Sequence, residues 1–119
     1  GLLLFQNKII GAIDSLHIML LKYTNTTLTD DIHFELGKAY KKIGKYEKSL
    51  EHLYKFKREY SEELLADDAI LLIAKIFEEE LKDTSKAQEA YLLLFTNYSS
   101  SIFADEARKK YRLLRGDKI

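Results

Sequence analysis

The sequence predicts an all-α repeat protein, and three observations carry the prediction. First, one fifteen-residue pattern occurs three times, at residues 23–37, 60–74 and 98–112. Its copies begin 37 and 38 residues apart, within the range typical of stacked supersecondary units. Second, the intervening segments place apolar residues three and four positions apart, as on the buried face of a helix. Third, the 119 residues include no proline, the residue that most strongly breaks helix interiors.

Each copy of the pattern ends a loop and starts a helix. It begins with tyrosine, then Ser or Thr, and reaches a large apolar residue, Thr or Ala, and two acidic residues. These acidic pairs are Asp30–Asp31, Asp67–Asp68 and Asp105–Glu106. The first turn of a helix favours carboxylates, because the helix dipole is positive there. The pattern therefore favours a structural role for these acidic residues over a catalytic one.

The apolar spacing predicts six helices. Their predicted ranges are 7–23, 29–43, 46–60, 66–82, 85–98 and 102–115. The helix over 66–82 is apolar on most sides, which is typical of a helix buried between neighbours. The last helix has one apolar face and an opposite basic face, as expected for a helix that caps a repeat array. That basic face consists of Arg108, Lys109, Arg112 and Arg115.

Composition excludes several classes of function. Nineteen basic and nineteen acidic side chains cancel, so no overall field attracts nucleic acid or an anionic membrane. The chain has no cysteine, which excludes disulfides and cysteine-based metal sites. No uncharged stretch reaches the roughly 18 residues that a membrane-spanning helix needs.

No motif in the chain indicates catalysis, and the sequence predicts no catalytic, cofactor-binding or metal-binding residue. The chain lacks HExxH, GxSxG and a glycine-rich phosphate loop. Its three histidines, His17, His33 and His52, fall on three different predicted helices, which favours packing or surface positions over metal ligands. Arg115-Gly116-Asp117 spells an adhesion tripeptide, but its position favours a helix end. An enzyme or a regulatory ligand-binding module is the least favoured alternative.

Residues 33–60 resemble a tetratricopeptide repeat (TPR). The residues that carry the resemblance are Leu36-Gly37, Tyr40, Gly44-Lys45-Tyr46, Ser49, Leu53 and Phe56. A second copy matches more loosely, through Ile73-Ala74, Phe77, Ala87, Tyr91 and Leu94. The resemblance implies a right-handed α-α superhelix, a solenoid of about two and a half repeats. Gly37 and Ala74 occupy equivalent positions, where we expect paired helices to approach closely.

On this interpretation residues 1–119 form a single TPR-like domain. It comprises a half repeat (7–23), repeats at 29–60 and 66–98, and a capping helix at 102–115. The apolar start, Leu2 to Phe5, begins where a partner helix would be ending, so we expect the C-terminal fragment of a longer array. We also expect self-association through Leu2–Phe5, because exposed contiguous apolar surface tends to be covered.

The repeat spacing exceeds the 34 residues typical of the family. Together with turns of the form Y-S-x3-[LF]-A-D-[DE]-A, it looks like the subgroup found in bacterial cell-envelope proteins of the outer-membrane assembly and Tol-Pal type. That subgroup usually has proline in the turn, where this chain has Ser61 and Ser99. The likeness favours a periplasmic location, with the cytoplasm as the alternative.

The resemblance implies a non-catalytic scaffold that binds an unidentified protein or peptide, but no nucleic acid, in a concave groove. In such folds the first helix of each pair lines the groove. The implied lining residues are Asp31, Phe34, Glu35, Lys38, Lys41, Lys42, Asp68, Leu71, Leu72, Lys75, Glu78, Glu79, Glu106, Lys109 and Lys110. Phe34, Glu35 and Asp68 stand where the chaperone-binding subclass has its carboxylate clamp, which argues against that role. The alternative function is a structural cap on a longer solenoid whose binding surface lies in other repeats.

Overall fold

The computed structural model describes residues 1–24, 27–56 and 65–117, and all regular structure within these ranges is helical. Its α-helices are α1 (Leu2–Lys22), α2 (Thr27–Lys42), α3 (Tyr46–Lys55), α4 (Asp67–Lys75), α5 (Thr84–Asn97) and α6 (Ala104–Arg115). A π-helical segment, Ile76–Glu80, continues α4. The chain forms two compact units, Gly1–Leu64 and Leu65–Ile119. The all-α prediction with six helices is confirmed.

Unit 1 packs α1 against α2, and α2 against α3. The buried centre between α1 and α2 contains Ile13, Ile32, Leu36 and Ala39. The three members on α2, Ile32, Leu36 and Ala39, recur three or four positions apart. The apolar stripe predicted for this helix is therefore its buried face. Half-buried apolar side chains surround this centre: Ile9, Leu16, Met19, Leu20, Tyr40 and Ile43.

The first helix begins earlier than the sequence predicted. Residues 2–5 form the first turns of α1 and are not the end of a preceding helix. The hydrogen bond from Phe5 N–H to Gly1 O, 3.1 Å long, starts the helix at once. The apolar spacing predicted a start at residue 7 because Leu2 to Phe5 are all apolar and show no helical periodicity. No proline or other helix-breaking residue lies between Phe5 and Lys8, so the helix can include residues 2–6. All four of these apolar side chains are exposed.

The pair α2–α3 is held by a close contact around Gly37. The Ser49 hydroxyl donates a 2.5 Å hydrogen bond to the Gly37 carbonyl, and Ser49 is fully buried. A Cβ at position 37 would lie 2.5 Å from Leu53 Cδ2. Close approach of the helices at Gly37, expected from the repeat alignment, is therefore present.

In unit 2, α5 packs against both α4 and α6. Helix α4 is buried along nearly its whole length, at Ala69, Ile70, Leu71, Ile73 and Ala74, as its apolar sequence predicted. The π-helical segment follows directly and ends with a 2.9 Å bond from Leu81 N–H to Ile76 O. The hydrogen bonds of a π-helix join residues five apart, whereas those of an α-helix join residues four apart. The side chains that follow the segment are therefore rotated relative to a continuous α-helix.

The repeated loop pattern has a visible structural role at its third copy. The Tyr98 hydroxyl donates a hydrogen bond to the Leu65 carbonyl, at the second copy. Ser101 Oγ donates to Asp67 Oδ2 at 2.6 Å, which joins the same two loops. The tyrosine of the third copy and the first acidic residue of the second copy therefore take part in hydrogen bonds that connect the two copies. Tyr60, the corresponding tyrosine of the second copy, lies outside the described residues.

The structure defines where two of the predicted helices, α3 and α6, end. Helix α3 ends at Lys55, and residues 57–64, which the sequence assigned partly to this helix, lie outside the described residues. Helix α6 ends at Arg115, whose Nη2 lies 2.5 Å from Asp117 Oδ2. The tripeptide at 115–117 is thus a helix end whose charged members pair with each other.

Candidate interaction surface

In unit 2 the structure brings together predicted groove residues from two helices. Lys75 on α4 lies 3.4 Å from Glu106 on α6, measured from Nζ to Oε2. Lys110 on α6 lies 3.3 Å from Glu78 of the π-helical segment. These two ion pairs connect α6 with α4 and with the π-helical segment that continues it, and they bring charges of both signs together on the surface of unit 2. We call the face formed by Lys75, Glu78, Glu106 and Lys110 the paired-charge face.

Glu78 is the most firmly held carboxylate of this face. Its Oε1 accepts a 2.6 Å hydrogen bond from the hydroxyl of Tyr91, whose side chain is fully buried on α5. Burial, and then the bond to Glu78, raises the pKa of the Tyr91 hydroxyl, so this group keeps its proton. One Glu78 oxygen is therefore fixed from inside the unit, while the other meets Lys110 at the surface.

The other predicted residues of unit 2 divide into available and occupied side chains. Glu79 and Lys109 are exposed and flank the paired-charge face, and Leu72 is half-buried. Asp68 Oδ1 accepts a 2.9 Å hydrogen bond from the Ala69 N–H, so it serves the first turn of its own helix. Leu71, predicted as a groove residue, is only 9% exposed and belongs to the core. Because α4 contains a continuous apolar run, the sequence did not show that Leu71 is buried and that its neighbour Leu72 keeps accessible surface.

In unit 1 the predicted groove residues lie on α2. Phe34 contacts Phe56, at the end of α3, with ring centroids 4.8 Å apart. Lys38 Nζ lies 4.7 Å from the centre of the Phe34 ring and 2.8 Å from Glu35 Oε1. This cation lies over the Phe34 ring, which remains half-buried. The remaining members are Asp31 and Lys42, which are exposed, and Lys41, which is half-buried.

Sequence reasoning missed a cluster of histidines in unit 1. The ring centroid of His52 on α3 lies 5.2 Å from that of His33 on α2, and 5.6 Å from that of His17 on α1. The Tyr40 ring stacks on His52 at 5.6 Å, and its hydroxyl lies 2.9 Å from His17 Nε2. We call His17, His33, His52 and Tyr40 the histidine cluster.

A signal for part of this cluster was present in the repeat alignment. The helices of a repeat run antiparallel, and Gly37 of α2 meets Ser49 of α3. Residues one turn earlier on α2 and one turn later on α3 must then face each other, and these are His33 and His52. The approach of His17 required knowledge of how α1 packs, which the spacing alone does not give.

Metal-binding clusters and membrane-spanning helices are both absent from residues 1–24, 27–56 and 65–117. Within these ranges no three or more His, Asp or Glu side chains are arranged to hold a metal ion. Over the same ranges, no helix has the length and apolar character needed to cross a membrane.

Comparison with known families decides how this fold is classified. The sequence profile of the tetratricopeptide repeat matches the chain twice, at residues 31–62 and 68–101, which together cover more than half of it. The chain belongs to the tetratricopeptide repeat family. No curated protein and no solved structure gave a match. The family match concerns the repeat in general and does not distinguish the cell-envelope subgroup.

The two matched repeats correspond to the helix pairs of the structure. The first contains α2 and α3, and the second contains α4, the π-helical segment and α5. Helices α1 and α6 lie outside the matched ranges. Tetratricopeptide repeats generally mediate protein–protein interactions and are typically non-catalytic scaffolds.

Proposed function

We propose that this chain is a non-catalytic scaffold in which the first helix of a repeat binds a peptide or protein segment of mixed charge. The observation that carries the proposal is the paired-charge face of unit 2. There Lys75, Glu106, Lys110 and Glu78 pair across two helices at the positions that the family resemblance assigns to the groove. Alternating charge on one face selects a partner of complementary sign pattern and rejects a uniformly charged one.

The exposed acidic residues of the face argue against a nucleic-acid partner. Glu79 and Glu80 are exposed beside Glu78, and a phosphate backbone approaching this face would meet their carboxylates. Affinity for nucleic acid needs Lys and Arg clustered without such acidic neighbours. A polypeptide segment can instead offer both signs of charge in register with the face.

Each unit offers one apolar anchor among the proposed residues. The half-buried large apolar side chain is Leu72 on α4 in unit 2 and Phe34 on α2 in unit 1. Anchors that become fully desolvated on binding act mainly on the dissociation rate, whereas charges at the rim act mainly on the encounter rate. The two classes of residue are therefore separable by kinetics.

The test starts with selection of a binding peptide from a displayed library and continues with biolayer interferometry on the purified chain. We expect two sets of charge reversals, Lys38→Glu, Lys41→Glu, Lys42→Glu on α2 and Lys75→Glu, Lys110→Glu on the paired-charge face, each to slow association and to reduce its salt dependence. A matched control reverses three exposed lysines outside the proposed surface, Lys8, Lys45 and Lys48, and should leave the association rate close to that of the wild type.

The apolar arm of the test uses Leu72→Ala and Phe34→Ala, which should speed dissociation with little effect on association. Unchanged kinetics in both arms would eliminate the groove. A chain from which no binding peptide can be selected would favour the structural alternative, in which these repeats close a longer array.

The bacterial cell-envelope subgroup and a periplasmic location remain part of the proposal, and rest on the turn pattern at residues 60–69 and 98–107.

The apolar end of α1 favours a second kind of partner, another copy of this chain. Leu2 and Leu3 are 74% and 71% exposed, and Leu4 and Phe5 follow on the same end of the helix. A cluster of exposed large apolar side chains is an unfavourable surface in water and is typical of association sites.

A further inference from the structure

The histidine cluster contains every histidine of the chain, and all of them lie in unit 1. It connects three helices: His17 belongs to α1, His33 and Tyr40 to α2, and His52 to α3. His52 is 6% exposed, so its ring lies within the packed helices and not at the surface. A buried histidine is accommodated as the neutral ring, because burial disfavours the charged form.

The hydrogen bond between His33 and His52 requires at least one of the two rings to be neutral. His33 Nδ1 and His52 Nδ1 are 3.0 Å apart, so one nitrogen must carry the proton and the other must accept it. When both rings are protonated, both nitrogens become donors and the bond cannot form. The two cations would then stand with their ring centroids 5.2 Å apart. Protonation of both rings therefore replaces an attraction between α2 and α3 with a repulsion.

The groups around the cluster do not offset this repulsion. Burial and then Lys55 lower the pKa of His33, with Asp30 opposing and His17 adding to the lowering. Burial, followed by His33, lowers the pKa of His52 to about 4, while Glu51 opposes and His17 and Lys55 add to the lowering. Asp14 of α1 and Glu51 of α3 also face Tyr40. Carboxylates from each of the three helices thus lie near the cluster, yet burial remains the dominant influence.

We propose that the histidine cluster is an acid-sensitive contact, which joins α1, α2 and α3 near neutral pH and loosens as the pH falls and its rings take up protons. The proposed groove residues of unit 1 lie on α2, the helix that carries His33 and Tyr40. Acid would therefore act through these rings on the placement of α2, and unit 2 contains no histidine through which the same effect could arise. The inference concerns the stability of unit 1 and does not depend on the proposed function.

The direction of the pH effect follows from proton binding. In the unfolded chain His52 titrates near 6.5, and in the folded chain it titrates near 4. Between these values the unfolded chain binds more protons, so acid favours unfolding. The stability is complete above about pH 6.5 and is lost as the pH falls towards 4. From pH 7.5 to pH 5 this ring alone should lower the folding equilibrium constant on the order of 10- to 30-fold.

The test compares wild type with the double variant His33→Phe, His52→Phe in urea unfolding at pH 7.5 and pH 5, with EDTA present. The phenyl rings preserve the stacked shape and remove both titrating groups, and such paired replacement can be nearly neutral for stability. We expect the folding constant of the wild type to fall on the order of 10-fold more than that of the variant. Equal losses in the two proteins would overturn the proposal.

A second measurement needs no variant. Histidine ring signals of the wild type, followed by NMR from pH 8 to pH 4, should show one ring titrating well below 6. Over the same range, amide signals of residues 1–56 should shift or broaden while those of 65–117 serve as the internal reference. Three rings that all titrate near 6.5 would overturn the proposal. So would stabilisation of the wild type, but not the double variant, by added Zn²⁺ at pH 7.5, since the cluster would then be a metal site.

Discussion

Gly37 on α2 lies directly against Leu53 on α3, so that a Cβ at position 37 would stand 2.5 Å from Leu53 Cδ2 and 2.6 Å from its Cγ. Leu53 is fully buried, and its Cγ cannot move without a change of rotamer or backbone. The hydrogen bond from Ser49 to the Gly37 carbonyl fixes the helices at this separation. Ala74 occupies the equivalent site of the second repeat, but at position 37 the side chain of Leu53 stands where a Cβ would lie.

We predict that Gly37→Ala destabilises the chain. Overpacking costs about 1–3 kcal/mol, while the better helix propensity of alanine returns up to about 1 kcal/mol. The net loss should be about 1 kcal/mol for alanine, and should be clearly larger for Gly37→Leu. Urea unfolding monitored by circular dichroism measures both.

Gly11 supplies the matched control for this prediction. It lies within α1, and a Cβ there would meet nothing within 4 Å. Gly11→Ala should therefore stabilise the chain by about 0.5–1 kcal/mol, through propensity alone. A Gly37→Ala variant that gains stability as Gly11→Ala does would show that the contact with Leu53 is readily relieved.

The turn between the helices of each repeat offers a second comparison. Gly44 (φ 76°) precedes α3 by two residues, and Lys82 (φ 54°) precedes α5 by two residues. Both residues adopt the left-handed conformation, which costs a residue with a Cβ roughly 1–2 kcal/mol. A Cβ at Gly44 would meet nothing within 4 Å, so backbone conformation alone decides the cost there.

We therefore predict opposite effects from two substitutions at equivalent positions. Gly44→Ala should lower the free energy of unfolding by about 1 kcal/mol, and Lys82→Gly should raise it by about 0.5–1 kcal/mol. Thermal melts of the two variants beside the wild type provide the measurement. The reverse pattern, in which Gly44→Ala stabilises and Lys82→Gly destabilises the chain, would mean that unfolded-state entropy, and not the left-handed backbone, dominates at these turns.

The helices and the identity of the family were predictable because each depends on local spacing. Gly37, Tyr40 and Ser49 sit at fixed intervals, and the small residues fell at a close helix contact as expected. Leu71 shows where this reasoning fails. Helix α4 is apolar on most sides, so its spacing does not distinguish a buried side chain such as Leu71 from a half-buried one such as Leu72.

The histidine cluster shows a different limit of sequence reasoning. Each histidine, taken alone, fits an ordinary packing position on a helix. Their convergence depends on how α1 docks on the pair α2–α3, and docking is a tertiary property without a periodic signature. Likewise, the pairing of Lys75 with Glu106 required the α4–α6 arrangement, which spacing within either helix does not contain.

Tyr91 supplies a prediction at alkaline pH. Its raised pKa keeps the hydroxyl protonated in the folded chain, whereas in the unfolded chain the hydroxyl ionises near pH 10.0. Stability from this group is thus present below pH 10 and is lost as the pH rises further. Tyr91→Phe should cost about 1–2 kcal/mol at pH 8, since a hydrogen bond to a carboxylate is removed. The variant should then lose less stability than the wild type between pH 8 and pH 11.

The control for Tyr91 is Tyr23→Phe, at an exposed residue that directly follows α1. It should change neither the stability at pH 8 by more than about 0.5 kcal/mol nor the alkaline loss. Urea unfolding at the two pH values gives both quantities. The prediction for Tyr91 is wrong if wild type and Tyr91→Phe lose equal stability on going to pH 11.

The exposed apolar end of α1 leads to a prediction of self-association. Leu2, Leu3, Leu4 and Phe5 are all exposed at one end of the helix. Bringing two such ends together removes apolar surface from water, which contributes about 25 cal/mol per Å² buried. We expect sedimentation velocity to show a rising fraction of dimer or larger species as the protein concentration increases.

Two variants make this prediction specific to α1. The double change Leu3→Glu, Phe5→Glu should keep the chain monomeric, and glutamate suits the first turns of a helix because of the dipole. Ile102→Glu changes a single, highly exposed apolar residue in unit 2 and should leave the association unchanged. If wild type remains monomeric at the highest concentration, or if Ile102→Glu abolishes association as fully as the α1 variant does, the end of α1 is not the contact.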